Sequence, residues 1–314
     1  MGLEIDQIKR KVREFYDQIG WQEVSQGTYQ NAHYEDLRPV AREYIHNCHL
    51  RVLRHLKPSG RYLLDAGSGP LQYPEYLEYS RGYRRRVCAD ISFVALQEAR
   101  KRIGEHGLFV LADVANLPFQ TGVFEGVVSL HTIHHLPMQE HSRAYQELYR
   151  VLTPGSGAVV VNGWDDSPLM SLANIPIWLI ERLYALKERL SGKARRDGPE
   201  SPVINLDEST HIEVNALTHW VNPKRKKRRK ARGAIPKGTF VQKHNAGWLL
   251  QEVGNHIPLE ILVWRSVTVR FLRVFIHPRW GGRRLLRLLF SLEERFPHLL
   301  GRIGQYPLIV FQKP

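Results

Sequence analysis

The chain has 314 residues, a hydrophobic fraction of 43% and a mean hydropathy of -0.36. These values are typical of one large globular domain with an insertion, or of two domains, and no apolar run approaches the roughly 18 residues that a membrane-spanning helix needs. Cys48 and Cys88 are too few for a disulfide framework and do not form a CxxC pair. The amino terminus lacks the apolar stretch of a secretory signal. We therefore expect a cytoplasmic protein.

The net charge of +14 lies entirely in the second half of the chain. Residues 1–165 contain 19 Lys and Arg and 19 Asp and Glu, whereas residues 166–314 contain 26 and 12. Eight of the nine residues 224–232 are basic. This division predicts a neutral half that carries the chemistry and a basic half that meets something acidic. A solvated loop is the alternative interpretation of residues 224–232.

The predicted elements begin with two helical patterns, at residues 7–20 and about 37–56. Five short apolar runs of strand type follow: "RYLLDAG", "RRVCADI", "LFVLADV", "EGVVSLH" and "GAVVVNGW". Helical patterns such as "ISFVALQEARKRIG" separate most of them. Strands that alternate with helices predict a parallel sheet covered on both faces.

After Trp164 the alternation stops. A helix-like stretch, "IPIWLIERLYALKERL", comes next and is followed by the basic run. The α/β pattern then returns with a helical stretch, "NAGWLLQEVG", a β-rich stretch, "LEILVWRSVTVRFLRVF", a second helical stretch, "LLRLLFSLEERFPHLL", and a last strand in "QYPLIVFQKP". We divide the chain into a helical cap (1–57), the first part of an α/β core (58–165), an insertion (166–240) and the rest of the core (241–314).

The stretch "LLDAGSGPLQ" predicts a ligand-binding turn. The first strand ends at Asp65, and Gly67 and Gly69 form a tight turn at the carboxyl edge of the sheet, where a ligand can lie against bare backbone. No Gly-Lys-Ser/Thr follows, as a nucleotide-phosphate loop would require, and Leu71 and Gln72 stand where a dinucleotide-binding turn needs a small residue. An acid that leads the turn repels phosphate and favours a cationic ligand group.

Two further acids follow the next two strands. Asp90 ends the second strand in "VCADIS" and can accept hydrogen bonds from a ribose diol. Asp113 ends the third in "LADVANLPF", placed to meet the exocyclic amine of an adenine with Val114 beside the ring. Helix caps or solvated loop carboxylates are the alternatives. Together with the turn, the acids favour adenosine linked to a cationic amino acid over a dinucleotide.

Residues 61–164 resemble a class I S-adenosylmethionine-dependent methyltransferase. They are most similar to the broad group of ubiquinone/menaquinone, sterol and sugar or natural-product methyltransferases, through "LLDAGSGPLQ", "ADIS", "LADVANLPF", "VVSLHTIHHLP" and "ELYRVLTPGSGAVVV". The family's first motif usually has a third glycine where Leu71 stands. The resemblance implies a Rossmann-like, seven-stranded, mostly parallel sheet with helices on both faces, together with an amino-terminal helical cap and an inserted basic segment. The terminal "YPLIVFQKP" resembles the family's last, antiparallel strand.

The resemblance also implies the cofactor, S-adenosylmethionine, and a set of residues around it. The resemblance places Asp65, Gly67 and Gly69 at the methionine end of the cofactor, with Leu130 or His131 flanking the methionine. It places Asp90 at the ribose, with Ile91 packed on the adenine. It places Asp113 and Val114 at the adenine. The amino-terminal helices of this group close over the cofactor, so Tyr16, Tyr34 and Arg38 are candidates for the lid. Helix packing by the tyrosines and a solvated Arg38 are the alternatives.

The segment "LHTIHHLP" places three histidines where the substrate pocket of this family begins. If the acceptor is a hydroxyl, His135 or His134 can take its proton as a general base. The two are adjacent and cannot both face the pocket from a regular strand. Positioning of the acceptor without a base, and loop hydrogen bonding, are the alternatives. No carboxylate stands at ligand spacing nearby, so we expect no metal site here.

The favoured function is methyl transfer to a small-molecule or lipid-linked acceptor, at a hydroxyl of a sugar, polyketide-like or isoprenoid molecule. The alternatives are an RNA or other nucleic-acid methyltransferase that uses the basic half, a C-methyltransferase of an isoprenoid quinone, and a non-catalytic cofactor-binding scaffold. The Asn/Asp-Pro-Pro-Tyr/Phe segment common in nucleic-acid methyltransferases is absent after the fourth strand. The basic run and "RWGGRRLLRLLF" would allow peripheral binding to an anionic membrane or a phosphorylated acceptor.

Overall fold

The computed structural model describes residues 2–21, 23–25, 28–29, 35–190 and 239–314. The described strands are β1 (Glu23–Ser25), β2 (Thr28–Tyr29), β3 (Gly60–Ala66), β4 (Tyr83–Asp90), β5 (Gly107–Leu111), β6 (Phe124–Leu130), β7 (Leu152–Val161), β8 (Leu259–Arg265) and β9 (Tyr306–Gln312). The described α-helices are α1 (Gly2–Phe15), α2 (Arg42–Leu50), α3 (Pro74–Glu78), α4 (Phe93–Ile103), α5 (His141–Arg150), α6 (Pro168–Leu190), α7 (Ala246–Trp248), α8 (Val269–Phe275), α9 (Gly282–Arg295) and α10 (Pro297–Ile303).

Seven strands form the central sheet in the order β5-β4-β3-β6-β7-β9-β8. The first five are mutually parallel, and β9 runs antiparallel to both of its neighbours. The predicted Rossmann-like, mostly parallel sheet of seven strands is therefore confirmed, including its antiparallel last strand. The order of strands reverses beside β3, so the carboxyl ends of β3 and β6 flank a crevice that can receive a ligand.

Both faces of the central strands of the sheet are buried, which explains the uninterrupted apolar runs of those strands. Side chains of neighbouring residues point to opposite faces. Leu64 and Val127 belong to the core under α5, whereas Leu63 and Val128 belong to the core under α2 and α3. All four are fully buried.

A buried polar network fastens the amino-terminal cap to the far edge of the sheet. Arg51 is 2.9 Å from Glu293 of α9, and the Tyr44 hydroxyl donates to the same carboxylate at 2.8 Å. Arg265, at the end of β8, forms a buried ion pair with Glu35. Removing one member of such a pair leaves an uncompensated buried charge, so these contacts fix where the cap lies on the core.

The β-rich run that begins at Leu259 was predicted as one extended segment, and that prediction is wrong. The strand ends at Arg265, and helix α8 begins at Val269. The side chain of Thr268 caps the helix by accepting a hydrogen bond from the Phe271 amide at 3.1 Å. This capping bond, together with burial of the apolar face of the helix, outweighs the β propensity of the sequence.

No helix in the described residues is both long and apolar enough to cross a membrane. The basic run 224–232 lies outside the described residues, and of the insertion predicted at 166–240 the structure describes residues 166–190, which include helix α6, and residues 239–240.

Candidate active site

A cleft opens at the carboxyl ends of β3, β4, β5 and β6. Its floor is the glycine turn after β3 together with the residues that follow β4 and β5, and its roof is α1 and the turn after it. Ten of the predicted site residues line it: Tyr16, Gly67, Gly69, Asp90, Ile91, Asp113, Val114, Leu130, His131 and His135. Asp65, Arg38 and His134 are not among its lining residues.

The glycine turn has the backbone that its sequence predicts. Gly67 and Gly69 have φ values of 76° and 54°, in the left-handed region that favours glycine. A Cβ atom on Gly67 would lie 2.2 Å from the Thr132 side chain, so a larger residue cannot replace it without displacing the histidine-bearing loop. Leu71, in place of the third glycine, also adopts a left-handed conformation, with φ of 56°, and is fully buried.

Asp90 holds the turn against the end of β4. One of its carboxylate oxygens accepts the Gly69 amide and the other accepts the Ser92 amide, both at 2.8 Å. The carboxyl is 8% exposed, and burial raises its pKa to about 6 despite these two hydrogen bonds. Each oxygen retains a lone pair, so Asp90 can organise the turn and still accept a bond from a ligand in the cleft.

Asp65 does not face the cleft. Its carboxylate forms a fully buried ion pair with Arg86 of β4, whose guanidinium is 0% exposed. Burial raises the pKa of Asp65, against the opposing effect of Arg86. The prediction that Asp65 meets the cationic end of a ligand is therefore not supported by its position, because its charge compensates the buried arginine.

Asp113 is joined to the amino-terminal helix. One carboxylate oxygen lies 2.5 Å from Lys9 Nζ, and the other accepts the Ala115 amide at 2.9 Å. Lys9 also pairs with Glu140 at 2.5 Å. Burial lowers the pKa of Lys9, but its bonds to the two carboxylates outweigh that effect and raise it. Lys9 thus fastens α1 across the end of the cleft where an adenine was predicted.

Aromatic side chains cover the glycine turn. The rings of Tyr16 and Trp21 are stacked, with centroids 4.9 Å apart, and Trp21 lies so close that a Cβ on Gly69 would be 3.2 Å from its ring. Trp21 Nε1 and Gln72 Oε1 both line or border the cleft, are buried, and have no hydrogen-bond partner within the part of the chain that the structure describes. A donor and an acceptor thus remain for a polar ligand.

At the other end of the cleft, His135 forms hydrogen bonds with two of the described residues. It lies in a 3₁₀ turn, Ile133–His135, directly after β6. Its Nδ1 lies 2.8 Å from the Phe240 carbonyl oxygen, and its Nε2 lies 2.7 Å from the Tyr16 hydroxyl. A carbonyl can only accept, so Nδ1 carries the proton and Nε2 accepts from Tyr16. The lone pair of Nε2 is therefore directed into the cleft.

The turn separates the two adjacent histidines. His134 points away from the cleft, with Nδ1 3.4 Å from Asn162 Oδ1, so its assignment as an alternative base does not fit its position. His131 lines the cleft with a left-handed backbone, φ 55°, and its ring contacts that of Trp264 at 5.0 Å.

Arg38 is also directed elsewhere. Its guanidinium pairs with Asp36 at 2.6 Å and donates to the Leu272 carbonyl at 2.9 Å. Arg38 therefore links the cap to α8, and the prediction that it covers the cofactor does not fit this geometry. Tyr34, the other lid candidate, lies outside the described residues.

Several residues in or beside the cleft were not predicted from the sequence. Lys9 lies three and seven residues before Val12 and Tyr16, so helical spacing places all three on one face of α1 and the turn that continues it. Phe240 belongs to a segment without regular structure, and no motif links it to His135. Among the described residues, no group of three or more His, Cys, Asp or Glu side chains is arranged to hold a metal ion.

Comparison with known proteins identifies the core. Residues 64–160 match the family model of the methyltransferase domain. This part of the chain is a class I S-adenosylmethionine-dependent methyltransferase domain. Its cofactor is S-adenosylmethionine, and the cleft suits that molecule because a glycine turn, two carboxylates and two buried polar atoms without partners line it beside apolar side chains such as Ile91, Val114 and Leu130.

The relatives match parts of the chain. Malonyl-[acyl-carrier protein] O-methyltransferase of Legionella pneumophila is 33% identical over 102 residues, which are 32% of this chain and 35% of that protein. Methyltransferase GfsG of Streptomyces halstedii is 25% identical over 173 residues, 51% of this chain and 60% of that protein. The chain thus spans about a third and three fifths of these relatives.

The fold also matches a solved structure over nearly its whole length. Geranyl diphosphate C-methyltransferase from Streptomyces coelicolor A3(2) has a TM-score of 0.50 and 14% identity, and the match covers 97% of this chain and 96% of that one. At this identity the likeness concerns the fold.

Proposed function

We propose that the protein transfers the methyl group of S-adenosylmethionine to a hydroxyl oxygen of a small-molecule or lipid-linked acceptor, with His135 as the general base. The observation that carries this proposal is the hydrogen bond between His135 Nε2 and the Tyr16 hydroxyl, 2.7 Å long, inside the cleft. A neutral imidazole that already accepts a hydroxyl proton has the geometry that deprotonation of an acceptor hydroxyl requires.

In this mechanism the acceptor hydroxyl takes the place of the Tyr16 hydroxyl and donates to His135 Nε2. When bound, the cofactor would supply an electrophilic methyl group on a sulfonium, whose sulfur would retain the electron pair of the broken bond. His135 Nε2 would take the proton of the acceptor hydroxyl as its oxygen is methylated. The Phe240 carbonyl holds the tautomer beforehand and accepts a bond from the imidazolium afterwards. Such a base contributes about 10²–10⁴-fold to the rate.

The remaining cleft residues would position the cofactor. Asp90 would accept a bond from the ribose, Ile91 and Val114 would pack against the adenine, and Asp113 would meet its amine from beside Lys9. Gly67 and Gly69 would let the methionine end lie against backbone. The proposed roles of Asp90 and Asp113 are supported by their positions at the ends of β4 and β5 and by the free lone pairs of their carboxylates.

The names of the relatives support oxygen as one acceptor atom of this family. The relative from Legionella is an O-methyltransferase that acts on malonyl-acyl carrier protein. The match covers 32% of this chain, so we keep the acceptor class broad: a sugar, a polyketide-like molecule or an isoprenoid.

A lipid-linked acceptor has support from the surface of α9. Leu285, Leu288 and Leu292 are 47%, 58% and 44% exposed and lie on one side of the helix, and Arg284 and Arg295 flank them. An exposed apolar stripe bordered by arginines suits the interface of an anionic membrane. We include peripheral binding to such a membrane in the proposal.

The test uses methyl-tritiated cofactor, the purified protein and an extract of its source cells, separated after reaction into lipid, aqueous small-molecule, nucleic-acid and protein fractions. We expect label in the lipid or aqueous fraction. His135→Ala should lose the transfer but keep cofactor affinity, whereas Asp90→Ala should lose cofactor affinity. Label in the nucleic-acid fraction would overturn the proposal and favour the nucleic-acid alternative, and cofactor binding without transfer to any fraction would favour the non-catalytic scaffold.

A further inference from the structure

A second, smaller pocket lies beyond the end of β7, on the far side of the histidine turn from the cleft. Its walls come from α5, from residues 162–164 and from residues 242–249. Its volume is about 20 Å³, which is room for about one group the size of a water molecule. The side chains of His134 and Lys243 line it, whereas neither lines the cleft.

Lys243 is the unusual member of this pocket. It is 8% exposed, and its Nζ is buried with no hydrogen-bond or ion-pair partner in the described ranges. No Asp or Glu is among the described residues that line the pocket. A buried ammonium without a counter-charge is strongly unfavourable, so this arrangement calls for an explanation.

His244 supplies a second buried polar atom without a hydrogen-bond partner among the described residues. Its Nε2 is buried and, among the residues that the structure describes, has no hydrogen-bond partner. Its ring is stacked on that of Trp248, with centroids 3.4 Å apart and an interplanar angle of 4°. This stacking fixes the direction of Nε2, so the two polar atoms without partners belong to one rigid pocket.

The two side-chain amide oxygens that line the pocket are already used. Asn162 places its Oδ1 against His134 and donates through Nδ2 to the Tyr145 hydroxyl at 3.2 Å. Gln242 accepts the Met138 amide through Oε1 at 2.9 Å. Lys243 Nζ and His244 Nε2 have no partner among the described residues, and an ammonium beside an imidazole nitrogen that can donate attracts an anion and repels a cation.

We propose that this pocket binds a small anionic group, either a free monovalent anion or the carboxylate of a ligand, in contact with Lys243 Nζ. His244 contributes by donating from Nε2, the tautomer that an anion selects. The pocket has room for about one water-sized group, which favours a halide ion or a carboxylate oxygen over a whole phosphate.

The pocket is connected to His135 through one segment of chain. Phe240, whose carbonyl holds His135, lies three residues before Lys243, and the Gln242 amide donates to the His134 carbonyl at 2.8 Å. An anion on Lys243 would therefore stabilise the segment that fixes the His135 tautomer. This consequence rests on the proposed function, whereas anion binding itself does not.

The experiment measures the thermal melting of the full chain in sodium formate, bromide and phosphate series at constant ionic strength. We expect a saturable rise in melting temperature with formate and bromide. Lys243→Met keeps the length and volume of the side chain and should weaken this binding by at least about 30-fold, since a buried charge partner is lost. Lys57→Met, which removes an exposed lysine, is the matched control and should behave as wild type.

Two further measurements keep the outcome decisive. Lys243→Arg retains the positive charge and should keep a measurable anion response even if Lys243→Met folds poorly. Crystals grown with sodium bromide should show an anomalous peak in contact with Lys243 Nζ, and formate in competition should remove it, which would point to a carboxylate as well as a free anion. Identical melting of wild type and Lys243→Met in all three salts, or a response to phosphate alone, would overturn the proposal. Because neither measurement needs turnover, a failed methyl-transfer assay would not affect it.

Discussion

The floor and the roof of the cleft are built in different ways. The floor comes from short segments at the ends of neighbouring strands, where Asp90, the last residue of β4, accepts a hydrogen bond from the amide of Gly69 in the turn after β3. The roof and the histidine end depend on pairs separated by 104 residues (Lys9 and Asp113), 119 (Tyr16 and His135) and 105 (His135 and Phe240). Local motifs thus position the floor of the cleft, whereas distant contacts position its roof and His135.

The largest effect that tests this division is expected at the histidine end. His135→Ala should lower kcat about 10²–10⁴-fold, because the acceptor proton loses its base. The dissociation constant of the cofactor should stay within about threefold of wild type, since the floor is unchanged. Single-turnover kinetics and calorimetric cofactor titration measure the two quantities. An equal loss in both would show that His135 acts on the cofactor end instead.

Substitution of Asp65 tests what stabilises the floor of the cleft. Asp65→Ala should lower the free energy of unfolding by about 3–5 kcal/mol, because Arg86 would remain buried without its counter-ion. The double variant Asp65→Leu/Arg86→Met should recover most of this loss, and urea unfolding measures both. If the double variant is stable but fails to bind cofactor, Asp65 has a direct role in binding that its position in this structure does not indicate.

The raised pKa of Asp90, in the floor of the cleft, predicts that the free energy of unfolding depends on pH. Its pKa in the folded protein is about 6, above the ordinary value of 3.8, so the folded state holds the proton more tightly than the unfolded state. This contribution to stability is present below pH 3.8 and is lost as pH rises through 6, amounting to about 3 kcal/mol at most. Asp90→Asn should remove this slope between pH 4 and 6 in urea titrations, and an unchanged slope would contradict the assignment.

The smallest effect is expected for substitution of Lys9, which joins the roof of the cleft to its floor. Lys9→Met removes the partly buried ion pairs with Asp113 and Glu140 and should raise the dissociation rate of the cofactor by about tenfold. Stopped-flow displacement measures the rate. Lys11→Met, on the exposed side of the same helix, is the control and should have no effect. Identical rates in all three proteins would mean that α1 does not retain the cofactor.

The contrast between floor and roof also decides what could be predicted from the sequence. The seven-stranded sheet, the glycine turn and the positions of Asp90 and Asp113 follow from hydrophobic patterning and short motifs, which act within about 25 residues. The partner of Asp65 could not be predicted, because Arg86 lies in a run of three arginines and the sequence does not indicate which one is buried. Helix α8 was missed because tertiary packing outweighs local β propensity.

The choice between the two adjacent histidines also could not be predicted from the local sequence. His134 and His135 are indistinguishable in the sequence. The 3₁₀ turn directs His134 into the second pocket and His135 into the cleft. The choice depends on Phe240 and Tyr16, which reach His135 from opposite ends of the chain. Arg38 was likewise indistinguishable from a lid residue until its bonds to Asp36 and α8 were seen.

The most direct test of the central claim uses cofactor labelled with ¹³C in its methyl group, incubated with the protein and a small-molecule and lipid extract of its source cells. The product is then examined by ¹³C NMR, which distinguishes a methoxyl carbon from a methyl group on carbon or nitrogen. We predict a methoxyl signal with wild type that is lost with His135→Ala. A C-methyl or N-methyl product, or a methoxyl signal that His135→Ala leaves undiminished, would contradict the proposal.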